Sequence, residues 1–341
     1  MTEKTEAKYY DDGTLQEVYT LDEKGLKQGA FETYFKDGSL REKGTYKDGK
    51  LEGVVERHGA GVVSYIEYKD GLANGSYKCY HVTGQLAEEG TYKDDKKEGL
   101  FVGYFEDGEL HHKEYYKNDK LDGPAEMYYK NDKLYHKNYY KNGKLDGTCE
   151  TYYPSGQLKL KGTYKEGKLD GEYVEYYDNM FDQVKSRNSY KENIANGACV
   201  EYYEDGRMAR RYASQNGKFE GLYEEYWPNG RLRKQCTYKD GELCNEYAEY
   251  NEDGGIKKYL VYCGGTCYDY TKDFQKVEEE RRTLIEKIKK MHKQIQNPDL
   301  YKKLKKAEIN TFRAVHPHPA AGRPALKKTR QPKRDFTFSF G

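Results

Sequence analysis

The sequence predicts a mainly β fold: an elongated, single-sheet antiparallel meander of tandem β-hairpins, closed by a C-terminal helical segment and a disordered basic tail. Three observations carry this. A period of about 24 residues runs through most of the 341-residue chain. Its fixed points are tyrosine and glycine, not aliphatic residues. From about residue 271 the periodic glycines stop and a helical pattern begins. A fixed period of this size marks stacked copies of one supersecondary unit.

Boundary glycines fall at Gly29, Gly53, Gly75, Gly99, Gly123, Gly147, Gly171, Gly197 and Gly221, with Asn245 in the next slot. The steps are 24, 22, 24, 24, 24, 24, 26, 24 and 24 residues, and the two irregular steps are length changes at turns. A half-unit from Tyr9 to Gly25 precedes the array, and a partial unit from Asn245 to Gly265 closes it. Five residues after each boundary stands an aromatic: Tyr34, His58, Tyr80, Tyr104, Tyr128, Tyr152, Tyr176, Tyr202, Tyr226 and Tyr250. A turn such as KDG, EDG, PSG or PNG follows, then Leu40, Leu86, Leu110, Leu134, Leu158, Met208, Leu232 or Ile256. A second tyrosine comes next (Tyr46, Tyr68, Tyr92, Tyr116, Tyr140, Tyr164, Tyr190, Tyr238, Tyr262), then a YKDGK-like turn.

Two short runs rich in Tyr, Thr and Val, bounded by Asn-Gly, Asp-Gly or Glu-Gly, read as two strands per unit. Those dipeptides suit hairpin turns that need positive φ at both central residues. Asp95, Asp119 and Asp132 stand in for glycine there, since Asp tolerates the left-handed region. Ten units at ~4.8 Å per strand predict a rod on the order of 100 Å. Placing two-residue turns on Asp37-Gly38 and Asp48-Gly49 pairs Phe35 with Leu40 and Tyr46 with Leu51. Alternation then gives one face Leu51, Val55, Phe35, Leu40, Tyr46 and their repeats, and the other Glu32, Tyr34 and Thr45 with theirs. Hydrophobic residues are 35% of the chain, so no thick core exists, and the apolar face calls for curling, a second copy or a partner.

The run Y-K-x-G-K-L-x-G, at Tyr46–Gly53, Tyr140–Gly147 and Tyr164–Gly171, resembles the MORN repeat. It is most similar to the MORN-repeat-variant or YwqK-like family of bacteria and giant viruses, over residues 9–265. The resemblance implies β-hairpin arrays used as scaffolds and dimerisation platforms, sometimes membrane-associated, with some bacterial members labelled antitoxins.

Three segments follow: a repeat array over 1–270, a helical cap or coiled-coil segment over 271–312, and a basic, Pro-containing tail over 313–341. Asp273 to Gln296 has no Gly or Pro. It puts Phe274, Val277, Arg281, Leu284, Ile288, Met291 and Ile295 on heptad a and d positions, with Thr271 or Asp273 as cap. Capping the last strands or forming a dimer seam are the two readings. After Asn297-Pro298, Asp299 starts a shorter helix to about Phe312.

The net charge of +1 hides a split. From Lys272 onward there are 19 Lys/Arg against 8 Asp/Glu, and before it 40 against 50. The tail cluster Arg323, Lys327, Lys328, Arg330, Lys333 and Arg334 suits nucleic acid, an acidic protein or anionic lipid. Phe336, Phe338 and Phe340 alternate with small polar residues, as in a peptide that adds to a sheet edge.

The chain begins without an apolar leader, no run is long enough to span a membrane, and the seven cysteines are scattered. These features predict a soluble, intracellular (cytoplasmic, or virion-packaged) protein. Cys263 and Cys267 form one close pair without a second Cys/His pair nearby, so no metal is expected. No P-loop, GxSxG, HExxH or dinucleotide fingerprint occurs, and residues that recur in every unit are architectural. The expectation is therefore no enzyme, no cofactor and no small-molecule substrate. The predicted function is a non-enzymatic scaffold that binds a protein partner or itself, with Tyr34, Tyr80, Tyr104, Tyr128, Tyr152, Tyr176, Tyr202 and Tyr226 as its contact residues. The alternatives are an adaptor anchored by its tail to nucleic acid or anionic membrane, and an antitoxin.

Overall fold

A computed structural model describes residues 4–294 except 60, 180, 264 and 265, together with 302, 303 and 306. The chain divides into two compact units at Asn245/Glu246.

In the first unit, successive strand lines from Lys4–Tyr9 to Leu232–Lys239 pair antiparallel in chain order, so one sheet of consecutive hairpins results. Each period contributes two strand lines. Some lines break briefly before the boundary glycine, as where Lys144–Leu145 precedes Gly147–Tyr152.

Two turn types alternate. Asp48 (φ 51°) and Gly49 (φ 80°) form a two-residue turn closed by the Lys47–Lys50 pair, with Tyr46 opposite Leu51 as expected. Positive φ at both positions is what this hairpin turn requires, and it explains Asp and Asn in the first slot. The other turn corrects the expected pairing. Phe35 bonds to Ser39, not Leu40: its N–H reaches the Ser39 carbonyl at 2.8 Å, while Gly38 N–H donates to the Phe35 carbonyl at 3.0 Å. This is a three-residue loop, Lys36-Asp37-Gly38, with Gly38 at φ 82°. The Asp37 carboxylate holds it by accepting the Ser39 N–H at 2.9 Å. The extra residue sets Leu40 opposite Tyr34, so Leu40 leaves the apolar face to which the shorter turn had assigned it.

The apolar face carries a core one side chain thick. Along one line of cross-strand partners Tyr19 meets Phe31, Phe31 meets Gly44, Ile66 meets Tyr77, and Tyr77 meets Gly90. Large residues lean over small ones. Val55 and Phe101 are 0% exposed because Gly44 and Gly90 make room for them. A Cβ on Gly90 would lie 2.5 Å from the Phe101 ring. Farther along, Ala125, Cys149, Cys199 and Cys236 take the small positions and are buried as free thiols or methyl groups.

Beside this line runs the second tyrosine ladder, each ring paired across the strands with a boundary glycine: Gly29 with Tyr46, Gly99 with Tyr116, Gly147 with Tyr164, Gly221 with Tyr238. The rings close over the core line, with Tyr46 4.5 Å from Phe31 and Tyr116 5.3 Å from Phe101 between centroids. An aromatic opposite a strand glycine covers backbone that has no side chain of its own. The glycine itself is obligatory for a second reason. Gly147 sits at φ 128°, and a Cβ there would meet the Tyr139 Cβ at 3.1 Å.

Consecutive repeats are also joined at both ends of the strands. At the two-residue turns, N–H groups donate to the carbonyl of the preceding unit: Gly49 to Lys27 at 2.9 Å, Gly143 to Leu121 at 2.7 Å, Gly217 to Ala195 at 2.9 Å. Where Asp or Asn replaces that glycine, its side chain adds a second bond, as Asp119 does in accepting the Lys97 N–H at 2.7 Å. The x of K-L-x-G is used too: Glu52, Glu98 and Asp122 accept the N–H of Asp70, Asn118 and Asn142. At the three-residue loops, the tyrosine after the first-ladder residue bridges units. The Tyr10, Tyr129, Tyr153, Tyr177 and Tyr203 hydroxyls donate to the Tyr34, Tyr152, Tyr176, Tyr202 and Tyr226 carbonyls at 2.6–3.0 Å.

In the second unit, strand Ile256–Cys263 pairs antiparallel with Thr266–Asp269, and helix α1 runs from Thr271 to Gln294. The cap differs from the expected one. Asp269 accepts the Thr271 N–H at 2.9 Å, ahead of both Thr271 and Asp273. That carboxylate is held below its usual range by the Thr271 hydroxyl and N–H. Helix α1 is fastened to the strand by Phe274 against Tyr259 (4.2 Å), by Gln275 donating to the Ile256 carbonyl, and by Arg282 with Asp253. The expected helix after Asp299 lies outside the described residues except for Lys302, Lys303 and Lys306, which are helical. Ile295 and the whole tail, including Arg323 to Phe340, also lie outside them.

Gly90→Ala should cost about 1–3 kcal/mol by overpacking the Phe101 ring. Gly59→Ala, with ordinary φ and nothing within 4 Å of the new methyl, should stay within about 0.5 kcal/mol. Parallel denaturant titrations check this, and equal losses in the two variants would contradict the packing described.

Candidate interaction face

The opposite face of the first unit's sheet holds the predicted contact residues. Strand alternation places Glu32 and Tyr34 there, and the paired residues Lys43, Glu56, Glu126, Lys137, Glu150 and Lys161 continue the same line. Charges of opposite sign thus stand beside each other across the strands, an arrangement worth roughly 0.2–1 kcal/mol per pair. Lys43 reaches Glu56 at 2.9 Å, Lys137 reaches Glu126 at 3.1 Å, Lys161 reaches Glu150 at 2.9 Å, and Arg211 binds Glu224.

The first tyrosine ladder lies beside this charged line. Tyr34 donates to Glu32, and Tyr128, Tyr152 and Tyr226 donate to Glu126, Glu150 and Glu224 at 2.7–2.8 Å. Tyr104 instead crosses to Glu89 at 3.3 Å, and Tyr80 meets the Tyr65 ring at 5.8 Å. All eight predicted contact tyrosines, Tyr176 and Tyr202 included, are half-buried. The two tyrosine ladders therefore occupy opposite faces, one over the core line and one beside the carboxylates.

These bonds set the ionisation of the face. Burial pushes Tyr128 and Tyr152 up to about 12, and their carboxylate acceptors add to it. Burial also pushes Glu126, Glu150 and Glu224 upward. The tyrosine hydroxyls and the Lys137, Lys161 and Arg211 cations outweigh it, leaving all three below the usual carboxylate range. Each carboxylate is thus occupied by one phenol and one cation. None is poised to take a proton from a substrate, and the face offers shape and fixed charge instead.

A third line on this face was not anticipated. Two residues before the glutamate position stand Ala30, Val54, Leu100 (where Val102 replaces the glutamate), Pro124 and Leu222, and two residues after the lysines Lys43, Lys113 and Lys137 stand Thr45, Tyr115 and Tyr139. Val54 is 55% exposed, and Leu100, Tyr115, Tyr139 and Leu222 are exposed as well. The position does not recur in type: Ala, Thr and Ser fill it elsewhere, and so do Glu67 and Glu172. A reading of what repeats passes over it, and only the face and exposure together single it out. Gly123 and Gly147 bring backbone close beneath Tyr115 and Tyr139, with ideal Cβ positions 3.0 and 3.1 Å from those residues.

Among the described residues no group of three or more His, Cys, Asp or Glu is placed to hold a metal ion. Cys263 and Cys267 are exposed free thiols, paired across the hairpin with Thr266 and Tyr262, so they project from opposite faces of it. His111 and His112 lie side by side, with His112 3.6 Å from Glu88, and burial lowers His111. No helix among the described residues is long and apolar enough to cross a membrane.

Six stretches, residues 27–48, 73–94, 97–118, 121–142, 145–166 and 219–240, match the family model of the MORN repeat variant. Each begins before a boundary glycine or its equivalent and ends in a two-residue turn, so it spans one hairpin of the array. The chain is a MORN-repeat protein. MORN repeats serve as repeat scaffolds that commonly bind protein partners or membranes, and the family is generally non-enzymatic. A comparison with curated proteins gives no match.

The depressed glutamates make a signed prediction. A carboxylate whose folded value lies below its unfolded one contributes stability that is complete above the ordinary value, about 4.3, and is lost as pH falls through the depressed folded value. The array should therefore lose stability steadily below pH ~4.3. Glu150→Gln should start less stable at neutral pH and lose less on acidification. Circular dichroism melts across that range check it, and parallel slopes for wild type and variant would refute it.

Proposed function

We propose that the chain is a non-enzymatic scaffold that holds a protein partner on the tyrosine–glutamate face of its repeat array. The observation that carries this reading is the exposed line Val54, Leu100, Tyr115, Tyr139 and Leu222 beside fixed Glu–Lys pairs. Exposed aromatic and aliphatic residues bordered by polar groups are the usual composition of a protein-binding patch. Tyrosine supplies large contact area at low entropy cost, and the phenols and salt bridges beside it are already ordered before a partner arrives. The apolar line differs from unit to unit, whereas the charged line recurs in most of them, with Val102, Val174 and Val200 in the glutamate position. In this reading the repeat supplies orientation and the variable line supplies selectivity.

Leu100, Tyr115 and Tyr139 are exposed, so Leu100→Asp, Tyr115→Ser and Tyr139→Ser should leave the melting temperature within a few degrees. The triple variant should lose at least about tenfold in affinity for a protein that crosslinks to the wild-type array, as truncating interface aromatics does. Crosslinking and quantitative pull-down with both proteins decide it. Undiminished capture by the variant would sink the assignment of this face.

A second reading rests on the charge split between residues 1–271 (40 Lys/Arg, 50 Asp/Glu) and 272–341 (19 and 8). In it the basic tail, from Arg323 to Arg334, anchors the scaffold to nucleic acid or anionic lipid. Attachment of that kind weakens steeply with salt. A chain truncated after residue 312 should then lose low-salt binding to RNA, DNA or phosphatidylserine vesicles that the intact chain displays. Absence of binding by the intact chain at low salt would dispose of the anchor.

A further inference from the structure

We infer that α1 is a self-association seam, on which a second copy of this chain packs its own α1 in antiparallel orientation. Val277, Leu284 and Met291 stand seven residues apart and remain 44%, 45% and 50% exposed. The less exposed side of the helix is a different one, formed by Glu278, Arg281, Ile285 and Ile288. At 100° per residue the apolar stripe lies to one side of that packed line, so anchorage of the helix does not consume it.

The charges beside the stripe choose both the occupant and its direction. Glu280 and Lys287 flank it on the same side, one turn before and one turn after Leu284. Neither takes part in an ion pair among the described residues. Some other charges of α1 are engaged: Glu278 with Arg281 and Arg282, Glu286 with Lys289. A two-fold axis at Leu284 sets Leu284 against its copy and Val277 against Met291. It also brings Glu280 of each copy to Lys287 of the other, and the two pairs form at once by symmetry. Flanking charges of this kind set partner choice and orientation in helix pairs. A parallel pair would set Glu280 and Lys287 of the two copies on opposite sides of the seam, where neither meets the other's opposite charge.

Three heptads make a short seam, and an isolated helix of this length is marginal. Here the helix is ordered beforehand by the Asp269 cap, the Phe274–Tyr259 stack and the Arg282–Asp253 bridge, which lowers the entropy lost on pairing. The seam does not involve the tyrosine–glutamate face, so it stands or falls separately from the proposed function.

Sedimentation equilibrium of the full chain tests this. Wild type should reach twice the chain mass in a concentration-dependent manner. Leu284→Glu, an exposed change that leaves helix content intact, should weaken association by at least about 100-fold, since it sets two like charges at the centre of a contact. Glu280→Lys or Lys287→Glu alone should weaken it by about tenfold, and the two together should restore it. A monomer at every concentration overturns the inference, as does a dimer that tolerates Leu284→Glu. If Leu284→Glu instead lowers the melting point of a monomer, residues of the same chain cover the stripe and the inference also fails. Failure of the double charge exchange to restore association rules out the antiparallel seam.

Discussion

Among the described residues, the sheet of the first unit is covered by nothing but its own side chains, and such a sheet must build its core sideways, a constraint that governs the repeat. With no second layer to interlock with, a large residue is buried only by leaning along the sheet over a smaller neighbour. Phe101 lies over Gly90, and Phe31 and Val55 share the space above Gly44. The tyrosine rings opposite the boundary glycines then close the line from the side, as Tyr116 does for Phe101. The polar tip lets such a ring cover apolar atoms while its hydroxyl stays wet. This is why the chain is rich in Tyr and Gly and poor in aliphatic residues. It also accounts for the buried cysteines: Cys149, Cys199 and Cys236 serve as small hydrophobes in that line, and burial pushes their thiols up, away from the reactive thiolate.

The period, the two strands per unit, the two-residue turn and the Tyr46–Leu51 register were legible, because glycine and Asp-Gly placement fixes them locally. The separation of the two tyrosine ladders onto opposite faces followed from alternation alone. The other turn was not legible in the same way. Asp-Gly occurs in both turns, and what distinguishes them is a side chain, Asp37, that captures the Ser39 N–H and stabilises one more loop residue. One residue is enough to move Leu40 across the sheet. The helix was legible from its lack of Gly and Pro, but its cap was not, since Asp269 belongs by pattern to the strand before it.

The candidate face was legible only in its repeated half. Tyr128, Tyr152 and Tyr226 announce themselves by period, yet each is committed to a carboxylate that is itself committed to a cation. The side chains freest to meet another protein, Val54, Leu100 and Leu222, occupy a position that a search for periodicity averages away. The residue after each first-ladder tyrosine was passed over for a different reason. Its role depends on a carbonyl one whole unit farther along, and no local pattern reveals such a bond. Phe35 and Phe105 occupy that position without a hydroxyl, so the rung that Tyr153 supplies has no counterpart there.

The turn and tyrosine bonds described between repeats each reach about one period. Gly143 answers to Leu121, Tyr153 to Tyr176 and Lys97 to Asp119, each one period away. Nearest-neighbour bonding of this kind makes the array additive, with stability accumulating unit by unit. It also makes copy number a heritable variable that costs the fold little. Excision or duplication of one whole 24-residue period rejoins a glycine to a tyrosine, a turn to a carbonyl and a hydroxyl to a carbonyl in the same geometry as before. Lineages of such a gene can therefore change the span of the surface it encodes by recombination between periods, while point substitutions in the unrepeated line change what that surface meets.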